Sequence, residues 1–159
     1  MSRTTIDIGE RQPHIGGLLR LAWQHIRRSI YAGVERAGYA DLHPAHVALF
    51  RYPGIEGLRP TQLAEQANLT KQSVNGLLRH LEHTGYVELR PDPEDARARL
   101  ITFTPRGREF MDLIWRLAAQ AELEFAQVVG EQSFRELRAG LERFVAVTDS
   151  KPDRDLDRA

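Results

Sequence analysis

Apolar residues recur at steps of three and four from Ile15 to Val34: Ile15, Leu18, Leu19, Ala22, Trp23, Ile26, Ile30 and Val34. That period predicts an amphipathic helix from about residue 14 to residue 37, with Gly38 placed for a left-handed C-terminal cap. A helix this long in so small a protein needs a partner for its stripe, and another subunit is a candidate. A short helix follows, with Pro44 in its first turn, Val47, Leu49 and Phe50 for burial, and Pro53 and Gly54 as its stop. Residues 59–86 predict two more helices. The first opens on Pro60 and carries Leu63, Ala64 and Ala67; Asn68 breaks it; Thr70 is the N-cap of the second, whose stripe is Val74, Leu77, Leu78 and Leu81 up to Gly85. The period then changes to alternation. YVELR (86–90) and ARLITF (98–103) read as the strands of a hairpin joined by the seven residues PDPEDAR. Thr104 and Pro105 start another helix, with Phe110, Leu113, Ile114, Leu117, Ala121 and Val128 leading to Gly130, and a last helix carries Phe134, Leu137, Leu141, Phe144 and Val145. The polar tail, TDSKPDRDLDRA, is expected to be disordered.

Composition narrows the function. At 159 residues, 42% hydrophobic and 28% charged, the chain is long enough for one globular domain or one domain with an appended element. Lys plus Arg and Asp plus Glu both number 22, so there is no chain-wide basic field, and any grip on nucleic acid is local. The absence of cysteine excludes disulfides, a cysteine nucleophile and thiolate metal sites. The opening MSRTTIDIGERQPHI has no apolar segment of the signal-peptide kind and no stretch approaches membrane-spanning length, so the expected address is the cytoplasm. With no phosphate loop, nucleophile elbow or clustered acid–base pair, neither an enzyme nor a cofactor is expected.

The two helices of residues 60–83 meet the demands of a helix-turn-helix. Ala64 is small where the helices must approach, Asn68 tolerates positive φ at the turn, and Val74 is β-branched at the inner face of the second helix, with Leu63, Ala67, Leu69 and Leu77 in the remaining inward positions. This resembles the helix-turn-helix spacing, with Asn in place of the usual turn glycine. Lys71, Gln72, Ser73, Asn75, Gly76 and Arg79 then lie outward, and no acidic residue occurs between Lys71 and Leu81. Gln and Asn suit an adenine edge, and Lys and Arg suit guanine or phosphate. Beside the helix, the hairpin offers Arg90, Arg97 and Arg99 for a minor groove, with Asp95 placed to hold the Arg97 fork. Residues 43–107 hold 8 Lys plus Arg against 7 Asp plus Glu, so binding rests on Arg51, Arg59, Lys71, Arg79, Arg90, Arg97 and Arg99 gathering on one face.

Residues 58–107, LRPTQLAEQANLTKQSVNGLLRHLEHTGYVELRPDPEDARARLITFTPRG, resemble the MarR family of winged helix-turn-helix regulators. Asp95, Arg97, Thr104 and Gly107 fall on the family's Asp-x-Arg and Thr-x-x-Gly wing signature, whereas position 96 is Ala and position 76 is Gly where Arg is frequent. The helix order extends the resemblance over about residues 12–147. It implies a mainly α (α+β) fold: an N-terminal arm and long dimerisation helix (1–42), a winged helix-turn-helix domain (43–104), C-terminal dimerisation helices (105–147) and a disordered tail (148–159). It also implies a homodimer that binds double-stranded DNA at a pseudo-palindromic operator, represses, and lets go on binding a small molecule. The expected DNA contacts are Arg59, Thr61, Thr70, Lys71, Gln72, Ser73, Asn75, Arg79, Arg90, Asp95, Arg97 and Arg99. In the family a ligand pocket lies where the first, second and fifth helices meet. Here Trp23, Arg27, Tyr31, Tyr39, His46, Phe50, Met111 and Trp115 come from those regions and suit a small aromatic anion. The pairs His43 with His46 and His80 with His83 have metal-ligand spacing, but no third ligand is evident; His80 and His83 are expected on the solvated side of their helix, and no metal is assigned. The alternatives are a winged-helix protein–protein adaptor without DNA binding and a metal-responsive regulator.

Overall fold

The computed structural model describes residues 13–50 and 55–149. Its elements are α1 (Ile15–Arg36), α2 (Pro44–Leu49), α3 (Pro60–Gln66), α4 (Lys71–His83), β1 (Val87–Asp92), β2 (Asp95–Phe103), α5 (Pro105–Val129) and α6 (Glu131–Asp149), so the fold is mainly helical with one antiparallel hairpin. The expected Pro53–Gly54 stop, Arg51 and most of the polar tail lie outside the described residues; α6 itself runs two residues into that tail, to Asp149. Local chemistry sets the helix ends. Pro44, Pro60 and Pro105 each open a helix, where a missing N–H costs nothing. Thr70 caps α4 by accepting the Ser73 N–H at 3.1 Å. Asn68 adopts φ 49° between α3 and α4, and Gly38 φ 86° after α1, the left-handed turns expected at both places.

The hairpin departs from expectation. The strands extend through most of PDPEDAR, leaving only Pro93 and Glu94 between Asp92 and Asp95, with a register irregularity at Pro91/Asp92. Pro91 weakened the strand signal, yet a strand edge next to a bulge accommodates it. A side chain then secures the turn: Asp92 Oδ1 accepts the Glu94 N–H at 2.9 Å.

One core joins α1 through the start of α5. Ile30 and Val34 of α1, Val47, Leu49 and Phe50, Ile55, Leu63 and Ala64, Val74, Leu78 and Leu81, Tyr86 and Val87, Ile101 and Phe103, and Phe110 and Ile114 are all buried within it. Two of the expected inward residues are not. Ala67 is the C-cap of the seven-residue α3 and is exposed, and Leu69 is 41% exposed; both line an open cavity of about 1070 Å³ with Trp23, Leu49, Gln72 and the half-buried Leu77. The helix is too short to carry its stripe into the turn.

The centre of the core is aromatic. Phe50 stacks on Phe103 with ring centroids 5.3 Å apart and meets Phe110 edge-on at 4.9 Å, and Tyr86 meets Phe110 edge-on at 5.6 Å. At Tyr86 the end of α4 meets the start of α5: the Thr104 N–H donates to the Tyr86 carbonyl at 3.1 Å, and the Thr104 hydroxyl donates to the Gly85 carbonyl at 2.6 Å. The expected cap is therefore present, with Thr104 Oγ1 accepting the Gly107 N–H at 3.1 Å.

The chain divides into two compact units, residues 1–119 and 120–159, with α5 contributing to both. In the second, Phe125 meets Phe134 edge-on at 5.6 Å, and Arg138 bridges Glu122 at 2.9 Å and Glu142 at 3.0 Å. Its apolar residues are poorly covered: Val128 is 84% exposed, and Leu123, Leu137 and Leu141 are exposed as well. In the first unit Ile15, Leu18 and Leu21 of α1 are exposed too.

Gly107 permits the close approach at Tyr86, because a Cβ there would collide with the Tyr86 carbonyl oxygen, a backbone atom with no room to yield. Gly107→Ala is expected to destabilise the fold by about 2 kcal/mol or more, a fall in Tm of about 5 °C that calorimetry would register.

Candidate nucleic-acid interface

Helix α4 is amphipathic, with Val74, Leu78 and Leu81 in the core and Lys71, Gln72, Ser73, Asn75 and Arg79 exposed. Gln72, Asn75 and Arg79 border a groove of about 560 Å³ between α4 and Leu89 of β1, so the helix's polar face and the hairpin flank one surface. The hydroxyls of Thr70 and Ser73 lie 2.8 Å apart, and Thr61 is exposed on α3. Gly76 faces the larger cavity instead of the polar surface, with open space around the position a Cβ would take.

The basic residues do not all gather on one face. By strand alternation Arg97 and Arg99 share a side of β2, while Arg90 pairs with Leu100 on the opposite side of the hairpin. Arg90 also binds Glu88, with NH2 to Oε2 at 2.9 Å, and Arg99 donates to the Leu89 carbonyl at 3.1 Å. Arg59 is turned toward the hairpin tip. Its Nε–H donates to Asp92 Oδ2 at 2.8 Å, its NH2 lies 2.6 Å from the same oxygen, and its NH1 lies 3.5 Å from Asp95 Oδ2. Asp95 does not hold the Arg97 fork: its Oδ1 accepts the backbone N–H of Arg97 at 3.0 Å, and its other oxygen faces Arg59. Among the described residues no carboxylate pairs with Lys71, Arg79, Arg97 or Arg99, so these four cations stand unneutralised on α4 and β2, with Arg79 at the groove itself.

Comparison with known proteins agrees with this architecture. The MarR family model matches residues 40–98, from the end of the α1–α2 connection into the hairpin. A curated relative, the transcriptional activatory protein BadR of Rhodopseudomonas palustris, is 29% identical over 105 residues, 65% of this chain; the chain spans 58% of BadR's own length. A crystal structure of MarR is 25% identical, with a TM-score of 0.69 over 87% of this chain and 100% of that one. Over residues 40–98 the chain is similar to the MarR family, and over most of its length its fold is similar to that of MarR. Another solved structure in the family, Rv2887 of Mycobacterium tuberculosis in complex with salicylic acid, is 26% identical with a TM-score of 0.64 over 84% of this chain and 98% of that one.

The residues expected to line an effector pocket do not all meet in one cavity. Phe50 is core, Met111 packs against the core, and Trp115 is 55% exposed. Tyr31 donates its hydroxyl to the Pro44 carbonyl at 3.1 Å and, with Tyr39, lines a separate space of about 310 Å³. Arg27 lies 5.8 Å from the Tyr31 ring centroid. Trp23 alone of the set borders the large cavity.

The histidines pair differently from their sequence spacing. His46 stacks on His80 with centroids 4.2 Å apart and planes 13° apart, joining α2 to α4, so His80 is not on a solvated face. His80 Nε2–H donates to the Asp41 carbonyl at 2.7 Å. Among the described residues no group of three His, Cys, Asp or Glu side chains is arranged to hold a metal. His46 is 6% exposed and its Nδ1 accepts the His43 N–H at 3.1 Å, the role Gln62 plays for Arg59 at the start of α3. Sequence spacing concealed this, since the decisive partner lies 34 positions away on another helix.

That environment makes stability depend on acid. Burial foremost, then the proximity of His80 and His43, lowers the His46 pKa below 6.5, against a smaller opposing effect of Asp41. A neutral His46 therefore contributes stability that is present above pH 6.5 and is lost as pH falls below it, because the unfolded chain takes up the proton first. His46→Gln retains an acceptor for the His43 N–H and removes the titration. Its Tm is expected to fall less than that of the parent protein between about pH 7.5 and 5.5, as measured by thermal melts.

Proposed function

We propose that this protein is a homodimeric, ligand-responsive transcriptional regulator that binds a pseudo-palindromic duplex. The observation that carries the reading is the surface of Lys71, Gln72, Ser73, Asn75 and Arg79 on α4, free of carboxylates and flanked by a wing bearing Arg97. Helix α4 enters the major groove, where Gln72 and Asn75 read base edges and Lys71 and Arg79 reach phosphate or guanine. Arg97 enters the minor groove, while Thr61, Thr70 and Arg99 line its approach. The similarity to BadR, a transcriptional activatory protein, supports control of transcription. The action proposed here is repression by occupancy, relieved by an effector.

Twofold pairing follows from the apolar residues left open on α1, α5 and α6, which a second copy would cover. Two α4 helices then face half-sites about one helical turn apart. The effector proposed is a small aromatic acid. Trp23 borders the cavity that reaches the recognition helix at Gln72 and Ser73, Arg27 lies one turn further along α1, and the Rv2887 structure holds salicylic acid. Seated there, such a ligand would move α4 relative to α2 and so alter the reading surface.

Three measurements test this reading. Titrating a duplex selected from a random-sequence pool by the purified full-length protein is expected to show a steep salt dependence, near −0.9 in log–log slope per phosphate contacted. Lys71→Ala should reduce that slope by about one and weaken all sequences alike, and Arg97→Ala should weaken binding about tenfold. Sedimentation should give a dimer, with Leu123→Glu combined with Leu141→Glu yielding monomers that no longer hold the duplex tightly.

A further inference from the structure

The tip of the wing is acidic. Asp92, Glu94 and Asp95 crowd the turn beside Arg97, a poor composition for a segment that approaches phosphate. Arg59 changes that balance from outside the hairpin. It stands at the N-cap of α3, where its backbone is held by Gln62 Oε1 at 2.8 Å, and it spans both Asp92 and Asp95 with one guanidinium. Each carboxylate then passes the connection on to a backbone amide of the wing: Asp92 Oδ1 to Glu94 N–H at 2.9 Å, and Asp95 Oδ1 to Arg97 N–H at 3.0 Å. Asp92 is 7% exposed and Arg59 partly so, making this a part-buried pairing at the place where the strand register breaks. Immediately before Arg59, backbone bonds fasten the same segment to β2: Gly57 N–H to the Ile101 carbonyl at 2.8 Å, and Ile101 N–H to the Leu58 carbonyl at 2.9 Å. Arg59 extends that seam from the base of the wing to its tip.

We propose that Arg59 is a positioning residue of the DNA interface: through Asp92 and Asp95 it sets the wing tip so that Arg97 is presented to the minor groove. The inference rests on the proposed entry of Arg97 into that groove. It reassigns Arg59 from direct contact, since a guanidinium occupied by two carboxylates has little left to offer a phosphate. Lysine would not substitute, because one ammonium lacks the fork that spans two carboxylates. The Glu94 amide, assisted by Arg59, holds the Asp92 carboxyl below its ordinary range, in keeping with an ionised partner.

The deciding variants are Asp92→Asn, Arg59→Lys, Arg59→Gln and Arg97→Ala, the last also combined with Arg59→Gln, made in the full chain and checked for folding by circular dichroism. Their affinity for the selected duplex is measured, along with protection of the minor groove from hydroxyl radical and of guanine N7 from methylation. If Arg59 were a direct contact, Asp92→Asn would free it, remove a negative charge and tighten binding. If Arg59 positions the wing, Asp92→Asn weakens binding about tenfold, as do Arg59→Gln and Arg59→Lys. These variants lose the minor-groove protection and keep the N7 protection, and Arg59→Gln adds nothing to Arg97→Ala. Tighter binding by Asp92→Asn, additive losses, or an Arg59→Lys protein equal to the parent would overturn the inference while leaving DNA binding intact. Failure of the parent protein to select any duplex, or an Arg97→Ala protein with full affinity, would instead overturn the functional reading, and the inference with it.

Discussion

The close apposition of the Tyr86 backbone and the first turn of α5 is the constraint on which the DNA-binding architecture depends. Tyr86 leaves α4, begins the hairpin and receives the chain again when β2 ends, its carbonyl accepting the Thr104 N–H. Its ring is buried beside Phe110 and Phe50, and its hydroxyl donates to Asp41 Oδ1 at 3.0 Å while accepting from Arg106 NH2 at 2.9 Å. Burial foremost, with the Asp41 carboxylate, pushes the phenol up to about 12, so it remains a donor throughout the physiological range. Arg106 also donates to Asp41 Oδ2 at 2.8 Å and to the Thr84 carbonyl at 2.7 Å. One residue thereby ties the end of α4, both strands, the start of α5 and the α1–α2 connection. The angle between helix and wing is a property of this junction.

Around that frame the electrostatics are arranged locally, because the chain as a whole carries no net charge. The exposed positions of α4 from Lys71 to Arg79 carry no carboxylate, Glu82 coming only in its last turn, and several acidic residues elsewhere are matched: Glu88 by Arg90, Asp41 by Arg106, Glu122 by Arg138. Exposed pairs of this kind contribute little to stability, about 0–1 kcal/mol each. Their effect is to set which cations remain available. Lys71, Arg79, Arg97 and Arg99 remain; Arg59 and Arg90 do not. A count of basic residues would have weighted all six equally.

The start of α2 shows how one local device serves two chemistries. Gln62 in α3 and His46 in α2 occupy the same third position and accept the backbone N–H of the residue three before. Glutamine does so at any pH. Histidine does so only while neutral, and its ring is stacked on His80 of α4. A cap that elsewhere would only end a helix is thereby joined to α4.

What the residues determine by themselves is everything set within a few positions of the chain. The helix starts at Pro44, Pro60 and Pro105, the Thr70 cap, the left-handed Asn68 and the stripe of α4 all stand where period and capping chemistry put them. Their causes, missing N–H groups, short side-chain acceptors and helical repeat, are local. Tertiary structure alone decided the remainder. The hairpin turn tightened because Asp92 found the Glu94 amide and, 33 residues away, Arg59. Ala67 and Leu69 stayed open because α3 ended before it could bury them, and His46 stacked on His80 of α4 as well as meeting its sequence neighbour His43. Long side chains such as Arg59 reach several partners, and which one they take depends on where folding brings a buried charge.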